Sequence, residues 1–287
     1  FHAEDGIRDP DHSLVGSEMC IRDSAYTLLI GRYIGIAELG FYDRAEQTKQ
    51  LPANFISAVL GRVILPLFSE VSRDTRKLRD GMRLSIRGLM LMNLPLMLLL
   101  AATAEPFILT LFGAKWAQTV APFRILCLAA ALWPLHVVNV NAFLAQGQSR
   151  LVFRLEFPKK MLGLSLLVAG IFYGIAGVAW SQVVFSILAF VINAYFSGKA
   201  FKYGVVMQAT DIAGPLTLSV GVALPAFALS SWLVLAPALE FLLIFSIAAA
   251  AYIWIGYALK IQAFSDAGDL FLNLRSKIGR GSKSNGA

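Results

Sequence analysis

The sequence predicts an all-α fold, a polytopic bundle of membrane-spanning helices. One run, Met161 to Gly198, contains no Asp, Glu, Lys, Arg or His. It is long enough for two spans of about 20 residues each, which we expect to turn near Gly174 to Gly177. Hydrophobic residues make up 57% of the chain and charged residues only 15%, against about 25% in an ordinary soluble domain. The apolar stretches are separated by short loops, and every second loop is rich in Lys and Arg.

Residues 1–24 differ from the rest of the chain, because they are polar and acidic and show no apolar period. The run EMCIRD at 18–23 resembles the translation of a sequencing-library transposon end. We therefore interpret this segment as an artefact and leave it out of the fold; a native disordered tail is the alternative. The chain then starts inside an apolar stretch, and we expect an N-terminal portion of the natural protein to be missing.

Apolar length and turn signals predict about eight spans. The first, at 25–39, is truncated. The others are placed at 47–69, 86–112, 118–145, 159–175, 177–198, 212–232 and 236–259. We expect residues 25–200 to form a lobe of six spans and residues 201–260 to hold the last two. Residues 261–287 are predicted to be a cytoplasmic tail, amphipathic at first and then disordered.

The distribution of basic residues predicts the orientation of the spans. One side of the membrane receives only Arg44, Lys49 and Lys115. The opposite side receives Arg73, Arg76, Lys77, Arg79, Arg83, Arg87, Arg150, Arg154, Lys159, Lys160, Lys199, Lys202, Lys260, Arg275, Lys277, Arg280 and Lys283. Because Lys and Arg concentrate in cytoplasmic loops, the basic loops and the C-terminus are predicted to be cytoplasmic. Basic residues placed at span ends, without interleaved aromatic residues, argue against a nucleic-acid interface.

Three arginines remain inside predicted spans: Arg32, Arg62 and Arg124. A guanidinium group at this depth is costly if it faces lipid. We expect Arg32 and Arg62 either to face a polar cavity, where the guanidinium fork suits phosphate oxygens, or to snorkel or form structural ion pairs. Arg124 lies near a span end and is expected to snorkel.

Polar residues and prolines also occur within the spans. Asn139, Asn141 and His136 share a span with Pro134. They suit either a polar path for sugar hydroxyls or hydrogen bonds between helices. Prolines in spans tend to kink the helix and can act as hinges in transporters, although proline is also commoner in membrane helices than in soluble ones.

The sequence contains no motif for an enzyme, a metal or a cofactor. His136 is the only histidine beyond the excluded segment, and Cys20 and Cys127 predict neither a disulfide framework nor a metal cluster. A membrane-bound glycosyl- or acyltransferase would need a catalytic acid or histidine near an interface and usually a sizeable hydrophilic loop. Neither is evident, so an enzyme is disfavoured.

Short motifs spread over residues 25–260 carry a family resemblance. They are Ile30 to Gly35, Gly40 to Arg44, Gln50 to Pro52, Leu65 to Ser69, Leu111 to Trp116 and Ala145 to Arg150. Together they resemble the Wzx-type polysaccharide exporters of bacteria, most closely the colanic-acid exporter branch of the MOP (multidrug/oligosaccharidyl-lipid/polysaccharide) superfamily. The resemblance implies two helical lobes around a central cavity, followed by a last pair of helices. This chain would then be the C-terminal lobe and that last pair.

The resemblance also implies a function and a site. Such exporters flip polyprenyl-diphosphate-linked oligosaccharide across the bacterial inner membrane. In the related lipid II flippase, a Tyr-(x)-Asp-Arg…Leu-Pro stretch opens a cavity-lining helix whose arginine is functionally important. That similarity makes Asp43 and Arg44 candidates, with an interfacial ion pair that caps the helix as the alternative. The candidate substrate-binding residues are therefore Arg32, Asp43, Arg44, Arg62, Asn139 and Asn141.

The expected partners are the lipid-linked oligosaccharide, the membrane and the missing N-terminal lobe, with no nucleic acid. The alternative function is that of a multidrug antiporter of the same superfamily. Such a protein would favour acidic residues in the cavity, to bind organic cations and couple their movement to Na⁺ or H⁺. The charges inside the predicted spans are mainly basic, which favours an exporter of anionic substrates.

Overall fold

The computed structural model describes residues 27–59, 65–72, 74–233 and 235–259. Within these residues the ordered elements are all helices and no strand occurs, so the predicted all-α fold is confirmed. The segment 1–24, Arg62, Arg73 and the tail 261–287 lie outside the described residues. What the sequence predicts for them therefore stays a prediction.

The helices are numbered along the chain, and short connections make most sequential neighbours antiparallel. They are α1 (27–33), α2 (Ile36–Val59), α3 (Leu65–Val71), α4 (Thr75–Ala102), α5 (Ala104–Phe112), α6 (Val120–Ala131), α7 (Trp133–Ala145), α8 (Ser149–Ile171), α9 (Gly174–Phe201), α10 (Val205–Trp232) and α11 (Pro237–Ala258). A 3₁₀ segment, Ala114–Thr119, joins α5 to α6.

Among the described residues, 5 helical segments are long and apolar enough to cross a membrane, judged by length and composition. They are Thr75–Ala102, Ala114–Ala145, Gly174–Phe201, Val205–Trp232 and Pro237–Ala258. These segments overlap the predicted spans at 86–112, 118–145, 177–198, 212–232 and 236–259, and the polytopic membrane architecture is confirmed.

The remaining predicted spans are not among these segments. Those at 25–39 and 47–69 lie partly outside the described residues. The span predicted at 159–175 corresponds to α8, which begins earlier, at Ser149, and therefore includes a charged first half. The charged residues of that half are Arg150, Arg154, Glu156, Lys159 and Lys160.

Two predicted spans contain a break in the helix. The first lies at Thr103, between α4 and α5, where the threonine hydroxyl donates to the carbonyl of Leu99 at 2.8 Å. The second lies at Leu132, between α6 and α7, because Pro134 in the first turn of α7 has no amide hydrogen to continue the preceding helix. Other prolines lie inside continuous helices: Pro52, Pro95, Pro158, Pro215 and Pro225.

The long helix α4 lies at the centre of the described bundle and packs against α6, α7, α10 and α11. One apolar cluster joins α4 to α7 and α9, a second joins α2 to α5, α6 and α9, and a third joins α4 to α10 and α11. Many large apolar side chains on α9, α10 and α11 point outward and are exposed, as expected where helices face lipid.

A close approach of two glycines shapes the turn between α8 and α9. The turn lies at Phe172 and Tyr173, directly before the position predicted for it at Gly174 to Gly177. Gly174 has a left-handed φ of 70°. A Cβ added to Gly170 would lie 2.7 Å from the carbonyl oxygen of Gly177. Even a methyl group at this crossing would therefore push the two helices apart.

We expect Gly177→Ala to destabilise this helical hairpin by about 1–3 kcal/mol, the usual cost of overpacking. The measurement is the melting temperature of the full chain in detergent micelles. Gly221→Ala is the matched control, because a Cβ there has no neighbour within 4 Å. Equal melting temperatures for the two variants would contradict the close approach.

Candidate functional site

Polar side chains lie inside the described bundle and form three connected groups. The Asp211 cluster comprises Arg83, Arg87, Tyr203 and Asp211. The Asn139 cluster comprises Asn139, Ser197 and Gln208. The His136 cluster comprises His136, Glu156, Lys159 and Asn193. The first two are linked at Tyr203, and the last two occupy neighbouring turns of α7 and α9.

In the Asp211 cluster, two arginines of α4 bind one carboxylate of α10. Arg83 and Arg87 are one helical turn apart, so their side chains leave the same face of α4. Arg83 donates from Nε to Oδ2 of Asp211 at 2.8 Å, and Arg87 donates from Nη2 to Oδ1 at 2.6 Å. The Tyr203 hydroxyl donates to Oδ2 at 2.9 Å. The Asp211 side chain is only 2% exposed, so these donors replace its water.

The Asp211 cluster carries an excess of positive charge. The Arg87 side chain is 13% exposed and the Arg83 side chain is 44% exposed, so Arg83 reaches the surface of the bundle. Burial, and then the negative charge of Asp211, raise the pKa of Tyr203 far above its ordinary value. The phenol therefore stays protonated and continues to donate to Asp211.

The Asn139 cluster ties three helices together. Asn139 of α7 and Gln208 of α10 exchange two amide hydrogen bonds of 2.9 Å each. Ser197 of α9 donates to Oδ1 of Asn139 at 2.5 Å, and Gln208 also donates to the carbonyl of Tyr203 at 3.0 Å. This bonding agrees with the interhelical alternative considered for Asn139. Asn141 lies further along α7 and is partly buried.

The His136 cluster joins α7, α8 and α9. The Lys159 side chain is 1% exposed, and its ammonium group pairs with Glu156 and donates to Oδ1 of Asn193 at 3.0 Å. Asn193 contacts Nδ1 of His136 through its amide nitrogen at 2.6 Å. Nε2 of His136 lies 3.9 Å from a carboxylate oxygen of Glu156. Although the sequence assigns Lys159 to a basic loop, it lies inside the bundle.

The predicted site residue Arg44 lies elsewhere, next to the 3₁₀ segment. Its guanidinium carbon is 5.1 Å from the ring centre of Phe112 and 5.0 Å from that of Trp116. The Phe41 ring meets Trp116 edge to face, with 5.8 Å between ring centres. Cation–π contacts of this kind contribute about 0.5–2 kcal/mol each, so the aromatic rings hold Arg44 at a fixed position on α2.

The other predicted site residues are not all brought together. Arg32 is exposed, Asp43 is partly buried beside Arg44, and Arg62 lies outside the described residues. Asn139 bonds to α9 and α10, whereas Arg44 contacts α5 and the 3₁₀ segment. The described residues therefore place the Asn139 and Arg44 candidates in two separate environments.

Sequence reasoning missed the partners that the tertiary structure supplies. The charge pattern places Arg83 and Arg87 on the cytoplasmic side, at the end of a span, but both bind Asp211. The sequence does contain a signal for this contact. Asp211 is the only charged residue in α10, and a lone carboxylate in an apolar helix needs a partner on another helix. Arg124, predicted to snorkel, donates to the carbonyl of Ala101 at 3.1 Å and lies 4.9 Å from the ring centre of Phe227.

The chain is similar to known polysaccharide biosynthesis and transport proteins. Residues 16–121 match the family described as polysaccharide biosynthesis protein. The chain is 28% identical over 204 residues to the teichuronic acid biosynthesis protein TuaB of Bacillus subtilis (strain 168), a match covering 71% of this chain and 42% of that protein.

Two further relatives are similar. The lipopolysaccharide biosynthesis protein WzxC of Escherichia coli (strain K12) is 24% identical over 144 residues, covering 50% of this chain and 29% of that protein. The succinoglycan biosynthesis transport protein ExoT of Rhizobium meliloti (strain 1021) is 30% identical over 122 residues, covering 42% of this chain and 24% of that protein.

The chain spans less than half the length of the curated relatives it matches. Their names confirm the resemblance to polysaccharide exporters. Nothing in these matches supports the multidrug antiporter.

We expect Asp211→Asn to destabilise the protein by about 3–5 kcal/mol, because two guanidinium groups would face each other without a carboxylate. Thermal unfolding of the full chain in detergent micelles measures the loss. Asp80→Asn is the matched control, because that carboxylate is 68% exposed, and it should change stability by less than about 0.5 kcal/mol.

Adding Arg83→Gln to Asp211→Asn should recover part of the loss, because it removes one of the unpaired charges. Equal stability of Asp211→Asn and Asp80→Asn would show that the Asp211 cluster does not hold α10 against α4.

Proposed function

From this confirmed resemblance, we propose that the chain is the C-terminal part of a flippase for polyprenyl-diphosphate-linked oligosaccharide. The observation that carries the proposal is the match to named polysaccharide biosynthesis and transport proteins over an apolar helical bundle. The chain acts as a transporter and not as an enzyme. Its working partner is the N-terminal lobe of the same protein, and residues 25–200 and 201–260 are its own lobe and the last helix pair.

The physical task is to move a large hydrophilic head group and two phosphates through hydrocarbon. Each anionic group is costly to bury unless charged donors replace its water. Guanidinium groups suit this role, because their planar fork gives two hydrogen bonds to neighbouring phosphate oxygens. We assign Arg32, Arg44 and Arg62 to the walls of a cavity between the two lobes, while the lipid tail stays in the bilayer.

The aromatic contacts of Arg44 fit this role. A guanidinium group stacked against rings keeps its N–H groups in its own plane, so an anion approaches it from the edge. Phe112 and Trp116 lie within about 5 Å of the guanidinium, and they exclude water from its faces, which strengthens an edge-on bond to phosphate. Asp43 orients Arg44 or itself exchanges a proton. Asn141 contacts sugar hydroxyls, whereas the amide of Asn139 is already bonded to α9 and α10.

We assign the protein to the bacterial inner membrane, with the basic loops and the C-terminus in the cytoplasm. The lipid-linked substrate would enter from that side, and rocking of the two lobes would move it to the outer leaflet.

In the full-length protein, we expect Arg44→Gln and Arg62→Gln each to reduce polysaccharide export at least about tenfold, the loss expected for charge-assisted hydrogen bonds worth about 1.5–3 kcal/mol. Export is measured as secreted polysaccharide in a strain lacking its own exporter. Membrane insertion, followed by immunoblotting of the membrane fraction, should not change.

Arg76→Gln is the matched control, because Arg76 is exposed at the start of α4. Arg44→Lys should lie between wild type and Arg44→Gln, because an ammonium keeps the charge but loses the fork. Normal secretion by both glutamine variants would remove the basis for the cavity.

A reporter fused to the C-terminus tests the orientation. We expect a fluorescent protein fused after Ala287 to be bright and alkaline phosphatase at the same position to be inactive, because the basic side faces the cytoplasm. Active phosphatase at that position would reverse the proposed topology.

A further inference from the structure

The His136 cluster forms a closed ring of four polar side chains on three helices. Lys159 of α8 bonds to Asn193 of α9, Asn193 bonds to His136 of α7, and His136 faces Glu156 of α8, which pairs with Lys159. Neither the polysaccharide-export role nor the Asp211 cluster requires a titratable histidine in this ring. The presence of His136 therefore needs an explanation of its own.

The orientation of the Asn193 amide is fixed by Lys159. An ammonium group has three donors and no acceptor, so the atom 3.0 Å from it must be the amide oxygen. The amide NH₂ then points at Nδ1 of His136, 2.6 Å away. The reversed amide would place an NH₂ group against the ammonium of Lys159, which is electrostatically unfavourable.

This orientation also fixes the state of the imidazole. Since Asn193 donates to Nδ1, that nitrogen must be the acceptor, and the hydrogen of the neutral ring lies on Nε2. Nε2 faces Glu156 at 3.9 Å. In the packed bundle His136 is therefore neutral, with a tautomer set from Lys159 through Asn193.

We infer that His136 is a proton-binding site whose protonation opens the contact between α7 and α9. A proton taken from water binds the lone pair of Nδ1, and the hydrogen on Nε2 remains in place. Two donors would then face each other across the gap between Asn193 and Nδ1, which their repulsion must widen. The resulting imidazolium gains a carboxylate partner in Glu156.

Water can reach the site, and several of the charged residues on neighbouring helices already have partners of their own. The side chains of His136 and Glu156 are 31% and 21% exposed. Among the described helices packed on α7, the charged residues besides Glu156 and Lys159 are Glu70 on α3, Arg76, Lys77, Arg79, Asp80, Arg83 and Arg87 on α4, Arg124 on α6, Arg150, Arg154 and Lys160 on α8, and Lys199 on α9. Arg83 and Arg87 are engaged by Asp211, and Arg124 by a backbone carbonyl.

The assignment of His136 as a proton-binding site rests on this geometry. A role of that site in transport rests on the proposed function. Helices α7, α8 and α9 belong to the lobe that would rock during transport. A proton that loosens α7 from α9 would therefore link the shape of that lobe to the proton concentration on one side of the membrane.

The test uses the full chain in lipid nanodiscs, with His2→Gln and His12→Gln so that His136 gives the only histidine signal. We use ¹⁵N-histidine NMR and amide hydrogen exchange at about pH 5 and about pH 9, on either side of the ordinary histidine pKa of about 6.5. At the higher pH, Nδ1 should be unprotonated and Nε2 protonated. At the lower pH, both nitrogens should be protonated, and the amides of α7 and α9 should exchange about tenfold faster after correction for intrinsic rates, as expected for loss of a buried hydrogen bond.

Two variants sharpen the test. Asn193→Asp offers carboxylate oxygens to both Lys159 and His136. His136 should therefore stay doubly protonated at a pH where the wild-type ring is neutral. His136→Gln cannot bind a proton, so its exchange should show no acid-induced increase. Ser197→Ala is the control on α9, because Ser197 bonds to Asn139 one turn away, and it should keep the wild-type pH response.

The opposite tautomer at the higher pH would overturn the inference, and so would an acid-induced increase that persists in His136→Gln. These measurements need no substrate, so a failure of the export proposal would leave their outcome intact. In the full-length protein, His136→Gln should export polysaccharide at a rate that no longer depends on cytoplasmic pH; an unchanged pH dependence would separate the proton site from transport.

Discussion

Asp211 supplies the single charge of α10, and it is enclosed by two guanidinium groups of α4 and the phenol of Tyr203. Helices in lipid gain little from the hydrophobic effect when they pack on each other, because lipid tails are as apolar as the side chains they replace. Packing and polar bonds must therefore hold the bundle together. A buried carboxylate with three donors fixes where α10 lies along α4, and α11 follows because it packs on both.

The same constraint explains why the polar groups form connected clusters. A buried amide, ammonium or carboxylate without a partner costs more than an apolar side chain at the same place. Asn139 and Gln208 satisfy each other, Tyr203 joins them to Asp211, and Lys159 is satisfied by Glu156 and Asn193. Arg44 differs, because its guanidinium lies about 5 Å from two aromatic ring centres and its planar fork stays suited to an anion. The clusters with satisfied partners hold helices together, while Arg44 is the better candidate for substrate.

Part of the candidate site was predictable from sequence and part was not. The motif around Arg44 identified it as a candidate because the resemblance is local, carried by consecutive residues of one helix. The sequence places Arg83 and Lys159 in loops, because a charge near a span end gives the same pattern whether it faces water or a partner. Only the packing of α4 on α10, and of α8 on α9, brings those side chains to Asp211 and Asn193. Such contacts join residues far apart in the chain, and no local pattern encodes them.

The sequence alone determined the all-α membrane fold, the resemblance to polysaccharide exporters and the positions of most of the apolar helices. Apolar length and charge spacing follow directly from the cost of placing polar groups in hydrocarbon, and that cost acts residue by residue. The tertiary structure decided which polar residues meet and where the helices break, at Thr103 and Leu132. Those features depend on the relative positions of several helices, and these are set by the joint packing of all their faces.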